Sequence, residues 1–168
     1  MFDMALIIGN LCSLFGTLSD SFSSTRKTAN GVLTMQTVSQ VFFGIGSVFL
    51  KGYSAAVQSA VSILRNIATI KGVNSRVLWL VLTLSGVVFG LVFNNLGLLG
   101  LLPVISNLEY TIAVFSFRKN PRMLKAAFFI NVSLFTIFNF FIYNFVGAIS
   151  NCVVLASIVY SLIKEGKQ

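Results

Sequence analysis

The chain has 168 residues, a net charge of +8 and no histidine. Hydrophobic residues make up 56% of it and charged residues only 10%, with a mean hydropathy of +0.90. Soluble domains are usually ~45 to 50% apolar and about 25% charged, so the composition excludes an ordinary soluble protein. Basic residues spread over short loops favour topology signals and anionic-lipid contacts, and they argue against nucleic-acid binding. We therefore expect an all-α, polytopic membrane protein.

Seven hydrophobic segments are predicted to cross the bilayer, each near the ~17 to 25 residues that ~30 Å of hydrocarbon requires. The first lacks the basic region of a signal peptide, because Asp3 is its only charge, and we expect it to remain as a span. In chain order the spans are residues 4–19, 31–50, 54–70, 77–93, 98–117, 124–142 and 148–163.

The basic residues predict the orientation of these spans. Eleven of the twelve lie in or beside the loops that follow spans one, three and five or the C-terminal tail, and only Lys51 lies opposite. Basic residues near span ends are retained in the cytoplasm, which predicts an outer N-terminus and a cytoplasmic C-terminus. The eleven are Arg26, Lys27, Arg65, Lys71, Arg76, Arg118, Lys119, Arg122, Lys125, Lys164 and Lys167.

The spans divide into two units of three that share features of sequence. A basic pair occurs in residues 24–28 and again in 116–120, and segment 62–67 aligns with 157–162. Two three-helix units separated by one span have the same orientation, as in parallel transporter repeats. We predict a first three-helix bundle at 1–72, a linker helix at 73–95 and a second bundle at 96–168.

The predicted linker contains Gly86 and Gly90, a spacing of small residues that permits close helix approach within the molecule or across a homo-oligomer. Pro103, placed in the outer third of span five, predicts a kink there, either a hinge or a static bend.

Polar residues inside the spans are the candidate site, because each is unfavourable in hydrocarbon without a partner or a wet cavity. Glu109 and Arg65 both reach a depth of ~15 Å, so an ion pair between the two halves is expected. Alternatively, Arg65 extends to the cytoplasmic surface and Glu109 is neutral or hydrogen-bonded locally. The polar stripes also suit interhelical hydrogen bonding. The candidate substrate-binding residues are Gln58, Ser62, Arg65, Asn66, Asn107, Glu109, Ser157 and Ser161.

The LLPVI segment at 101–105, the LRNIAT segment at 64–69 and the three-one-three layout resemble the YgjV family of bacterial inner-membrane proteins. By architecture that family is similar to the SWEET and PnuC transporters, whose two three-helix bundles surround a central path for small solutes. The resemblance implies an inner-membrane location. SWEET proteins carry a proline in the first helix of each bundle and paired asparagines on each third helix. Here span one has no proline and Asn66 falls opposite Ser161, so sugar does not carry over as substrate.

These features predict a transporter or permease for a small polar solute, without a cofactor or a metal. Proton coupling through Glu109 would make pH-dependent uptake sensitive to Glu109→Gln. The alternative is a non-transporting membrane module such as an accessory subunit, a receptor or an immunity-type protein. An intramembrane enzyme is disfavoured, because the chain has no histidine and only four acidic residues.

Overall fold

The computed structural model describes residues 4–73, 75–117 and 119–165, and Arg118 and Lys167 of the predicted basic set lie outside them. Seven α-helices account for nearly all of this part of the chain, as expected for an all-α protein. They are α1 Met4–Ser24, α2 Ala29–Phe49, α3 Tyr53–Ile70, α4 Arg76–Val92, α5 Leu101–Phe117, α6 Pro121–Phe141 and α7 Phe145–Glu165.

Four of the helices are long and apolar enough to cross a membrane by length and composition, namely α1, α2, α6 and α7. Helices α4 and α5 are apolar but have 17 residues each, a rise of about 26 Å. Helix α3 has 18 residues and is the richest in buried polar side chains. Together these helices form a polytopic membrane protein. Among its central helices, α3 is the most polar, and α4 and α5 are the shortest.

Four predicted helix boundaries differ from the structure by three residues or more, including the start of α7, which lies at Phe145 and not at 148. Helix α1 continues five residues beyond the predicted span, to Ser24, and buries Asp20 on the way. Helix α6 begins three residues early, at Pro121, so that Lys125 lies in its second turn, where it is buried. Helix α5 begins at Leu101 and not at 98, so Pro103 lies in its first turn. The amide positions of a first turn need no intrahelical acceptor, so the proline has no hydrogen bond to remove and the predicted kink has no cause there.

The helix ends are closed by local hydrogen bonds. Thr28 and Asn120 cap α2 and α6, each side chain accepting a hydrogen bond from the backbone amide three residues later, at 3.1 and 3.2 Å. At their other ends, Lys51 and Tyr143 adopt positive φ angles of 57° and 59°. A residue in this left-handed region ends a helix and reverses the chain within a few residues. Successive helices therefore run antiparallel.

Six helices form a closed ring. Contacts run from α1 to α2, α3, α5, α6 and α7 in turn, and α7 packs against α1 to complete it. Because odd-numbered helices all run the same way, α1, α3, α5 and α7 end at one face of the ring. We call this face the basic end, since Arg26, Lys27, Lys71, Arg76 and Lys119 lie in its loops or helix starts, and we call the opposite face the Lys51 end.

Helix α4 lies outside the ring, in the groove between α3 and α5. Gly86 and Gly90 are buried and face this groove, where a Cβ on Gly90 would overlap the Gln58 side chain and lie 2.7 Å from Val104 Cγ2. The small-residue spacing therefore serves packing within the molecule, the first of the two uses predicted for it.

The largest apolar cluster lies within the ring toward the basic end. It joins α2, α5, α6 and α7 and contains side chains with no solvent exposure, including Leu33, Val114, Leu124 and Ile158. Polar side chains occupy the ring interior on the other side of this apolar layer.

Candidate functional site

Arg65 is the centre of the polar interior. Its side chain is 2% exposed and lies between α3 and α5. Nη1 donates hydrogen bonds to Asn107 Oδ1 at 2.8 Å and to Thr111 Oγ1 at 2.9 Å, and Nε donates to Asn66 Oδ1 at 3.1 Å. The guanidinium carbon also lies 4.8 Å from the centre of the Tyr110 ring, in cation–π geometry. Arg65 is thus held in place and does not extend to the surface.

Asn107 connects Arg65 to the rest of the cluster. Its Oδ1 accepts a second hydrogen bond from Ser62 at 2.7 Å, and its Nδ2 donates to Gln58 Oε1 at 2.7 Å. Gln58 in turn donates to the carbonyl of Gly86 at 2.8 Å, which ties α4 to the ring. Five of the eight predicted residues therefore lie in one network, and we name Gln58, Ser62, Arg65, Asn66 and Asn107 the arginine cluster.

Tyr110 links the arginine cluster to α2. Its hydroxyl donates a hydrogen bond of 2.6 Å to Gln36 Oε1, and both residues are buried. A small cavity of about 10 Å³, which we call the Arg65 cavity, is lined in part by Gln36, Arg65, Asn66 and Tyr110. Space of that size holds about one water molecule.

Glu109 lies apart from this cavity, and the expected ion pair with Arg65 is not formed. The only ion pair within the described ranges joins Lys125 and Glu165. Glu109 is partly buried in an apolar groove between α5 and α6, and its Oε2 has no hydrogen-bond partner. The depth of a residue along the helix axis does not determine which side of the helix it faces, because each successive residue is rotated by about 100° around that axis. Asn107, Tyr110 and Thr111 occupy the face of α5 that meets α3 and the interior, which leaves Glu109 on another face.

Ser157 and Ser161 also lie away from the arginine cluster. Ser157 donates a hydrogen bond to its own helix, at Val153 O. Ser161 accepts from Lys125 Nζ at 2.9 Å and donates to the carbonyl of Ser24 at 2.8 Å. Both serines line an open groove of about 710 Å³ at the basic end.

A second interior cavity, of about 30 Å³, lies at the centre of the ring, and we call it the central cavity. Nine of its twelve lining residues are polar, and it has room for about two or three waters. It adjoins the Arg65 cavity, with which it shares Gln40, Asn131 and Phe135. The lining consists of Ser13, Asp20, Gln40, Phe43, Ser47, Ser59, Asn131, Val132, Phe135, Asn139, Asn144 and Asn151.

The central cavity was not predicted as a site, since none of its twelve lining residues is among the eight predicted substrate-binding residues. Asp20 is 3% exposed and hydrogen-bonded to Ser39 of α2, but it fell just beyond the predicted end of span one. Asn144 lies in the turn between α6 and α7, where its Nδ2 donates to Ser13 of α1 at 2.8 Å. Asp20 comes one residue after the predicted end of span one and two residues after the apolar Leu18, and this closeness to an apolar segment is the feature of the sequence that indicates a buried acid.

The fold and this interior define a polytopic α-helical membrane protein with polar side chains enclosed in a ring of helices. Residues 6–168 match the model of the Imp-YgjV family, described as "Bacterial inner membrane protein". The chain therefore belongs to this family, and the predicted resemblance is confirmed. No curated protein and no solved structure matches the chain.

Proposed function

We propose that the protein is a permease for a small polar solute, which passes through the ring between two three-helix bundles. The observation that supports this most strongly is the central cavity, with nine polar residues in its lining. Polar groups in the membrane interior are unfavourable unless they contact a polar partner or water, and they commonly mark solute pathways. Transporters built from repeats place their sites between the repeats.

The proposed bundles are related by a constant spacing along the chain. The caps Thr28 and Asn120 are 92 positions apart, and so are the left-handed residues Lys51 and Tyr143. Helices α2 and α6 also have the same length of 21 residues. This spacing supports a bundle at 1–72 and a second at 96–168, joined by a linker at 73–95. It also pairs Asn66 with Ile158, three residues from the predicted partner Ser161.

Most of the residues that line the central cavity are also paired with one another by this spacing of 92 positions. Eight of its twelve lining residues form four pairs that are 92 positions apart, so each bundle contributes equivalent positions to one shared space. A cavity on the axis between two repeats is accessible to both faces of a membrane when the bundles rock against each other. The pairs are Gln40 with Val132, Phe43 with Phe135, Ser47 with Asn139 and Ser59 with Asn151.

The described conformation is closed in this proposal. A cavity for two or three waters does not admit a metabolite, and the apolar layer around Leu33 and Leu124 separates it from the basic end. Transport then requires the bundles to separate at one end at a time. The basic end faces the cytoplasm in the proposed orientation, with the N-terminus outside, since basic loops are retained on that side.

A cavity-filling variant tests the proposal. In liposomes containing the purified protein, uptake of radiolabelled ribose, glycine, acetate and succinate is measured for the wild type and for Ser59→Leu. Ser59 lines the central cavity and is 2% exposed, so a leucine there fills the space that a solute needs. We expect uptake of the transported solute to fall to the level of empty liposomes.

The matched control is Ser133→Leu, because Ser133 hydrogen-bonds only to its own helix, at Phe129 O. Its uptake is expected to equal that of the wild type. Wild-type uptake no greater than that of empty liposomes for every solute, or full uptake in Ser59→Leu, would contradict the permease.

A non-transporting membrane module is the second candidate, and the small volume of the central cavity favours it. In that case the polar interior serves interhelical hydrogen bonding and receives no solute. The same liposome assay separates the two candidates, because only a permease gives uptake that Ser59→Leu abolishes.

A further inference from the structure

Arg65 has no ion-pair partner in the described part of the chain, although Glu109 on α5 lies near enough to interact with it electrostatically. The hydrogen-bond partners of the guanidinium, Asn66, Asn107 and Thr111, are neutral, and so is the aromatic ring beneath it. A buried charge without an ion-pair partner is unfavourable by several kcal/mol, and proteins that retain one commonly use it to bind something of opposite charge.

Asn66 lines the same cavity and carries an unused donor. Arg65 Nε is a donor only, so it must face the oxygen of the Asn66 amide, and this fixes the amide nitrogen on the other side. The residue is completely buried, and this nitrogen, Nδ2, has no hydrogen-bond partner. A buried unpaired donor is unfavourable by about 1 to 3 kcal/mol, which a ligand oxygen would relieve.

Gln36, which lines the cavity from α2, contributes a second unused donor. Its Oε1 accepts the Tyr110 hydroxyl, while its Nε2 is buried and unpaired. The oxygen of each amide thus accepts a hydrogen bond from another side chain, and the nitrogen of each is unpaired. The cavity is lined by Arg65 and by the two amides whose N–H₂ groups are unpaired, together with the polar side chains of Gln40, Ser62 and Asn131.

We propose that Arg65, Gln36 and Asn66 bind an anionic oxygen group, a carboxylate or a phosphate, of the transported solute. This assignment rests on the proposed permease and names its substrate class. The Arg65 cavity holds about one water, which is enough for a single ligand oxygen, and it opens toward residues shared with the central cavity. The remainder of the solute would occupy the central cavity once the bundles separate.

Asn66→Asp tests the assignment with a nearly isosteric change. The aspartate still accepts the Arg65 Nε hydrogen bond, but it supplies an ion-pair partner and replaces the free donor with an acceptor. Thermal unfolding of the purified full-length protein is followed with increasing sodium acetate or inorganic phosphate at constant ionic strength. Binding to the folded state raises the wild-type midpoint with concentration. We expect apparent affinity about tenfold weaker or worse in Asn66→Asp.

Gln36→Glu is the second variant, since it keeps the acceptor for Tyr110 and replaces the other free donor. We expect the same loss of affinity. Asn10→Asp is the control, because it adds an equal charge near the start of α1, where Asn10 contacts Leu6 O and Val146 N. This control is expected to keep the wild-type response. A response to phosphate alone indicates a phosphate group, and a response to acetate indicates a carboxylate.

Equal midpoint shifts in the wild type and in both site variants would overturn the assignment, and so would the absence of any anion-dependent shift in the wild type. The liposome assay distinguishes this failure from failure of the permease. Uptake of ribose that Ser59→Leu abolishes, without anion binding, rejects the anion site and retains the permease. Anion binding without any uptake retains the site and rejects transport.

Discussion

Asn107 joins three helices through a single amide. It accepts hydrogen bonds from Ser62 and Arg65 of α3 and donates to Gln58, which holds α4. All of these groups are buried, so none has water as a replacement partner. Asn107 is therefore the residue whose loss would leave the most buried polar groups of the interior without a partner.

Asn107→Leu is expected to destabilise the folded protein by ~3 to 5 kcal/mol, since it leaves a buried charge and two polar groups without their partner. Ser62→Ala is expected to destabilise it by only ~1 kcal/mol, because Asn107 keeps Arg65 and Gln58. Unfolding of both variants in mixed micelles with increasing denaturing detergent measures the difference. Similar losses for the two variants would show that Asn107 does not hold the cluster together.

Depth along a helix is predictable from residue counting, whereas direction around a helix is not. Gln58, Ser62 and Arg65 share one face of α3, and the structure brings them together as their spacing predicts. Glu109 has a predicted depth close to that of Arg65 but faces a different groove, because the orientation of α5 depends on its packing against α3, α4 and α6. Asp20 was missed for a related reason: hydropathy falls before the helix ends.

At the scale of the helices, α4 depends on glycine at one position more than at the other. A Cβ on Gly90 would overlap the Gln58 side chain, whereas a Cβ on Gly86 would lie at an acceptable 3.4 Å from Gln58 Oε1. Gly90→Ala is therefore expected to destabilise the protein by ~1 to 3 kcal/mol through displacement of Gln58 and Val104.

The matched variant Gly86→Ala is expected to change stability by less than about 1 kcal/mol, since the better helix propensity of alanine offsets a close contact. The same detergent titration compares the two. Equal effects would mean that α4 is not seated against Gln58 as described.

The helix number and the short turns were predictable because caps and apolar lengths are local properties. Thr28 and Asn120 begin helices for reasons visible in the sequence. The left-handed backbone at Tyr143 was not predictable from the sequence, because no glycine marks the position and the return of α7 to the ring imposes the turn. The ends of α1 and α6 shifted by five and three residues where the polar side chains of Asp20 and Lys125 are buried.

At the scale of the whole molecule, the ring combines a polar centre with an apolar layer toward its basic end. The three-one-three plan was predicted from loop charges and span count, and the turns support a spacing of 92 between its halves. The predicted alignment of α3 with α7 lies three positions from the one that the proposed spacing gives, because short apolar segments match one another easily in several registers. Ring closure by α1 and α7 has no counterpart in the linear sequence.

The most direct test of a solute path through the ring is the access of water-soluble reagents to its centre. In a chain whose Cys12 and Cys152 are replaced by serine, Ser59→Cys is exposed in liposomes to a small charged methanethiosulfonate. We expect modification of Ser59→Cys with loss of uptake, slowed by the transported solute, and no modification of Ser133→Cys. A Ser59→Cys thiol that stays unmodified while uptake proceeds would contradict a solute path through the ring.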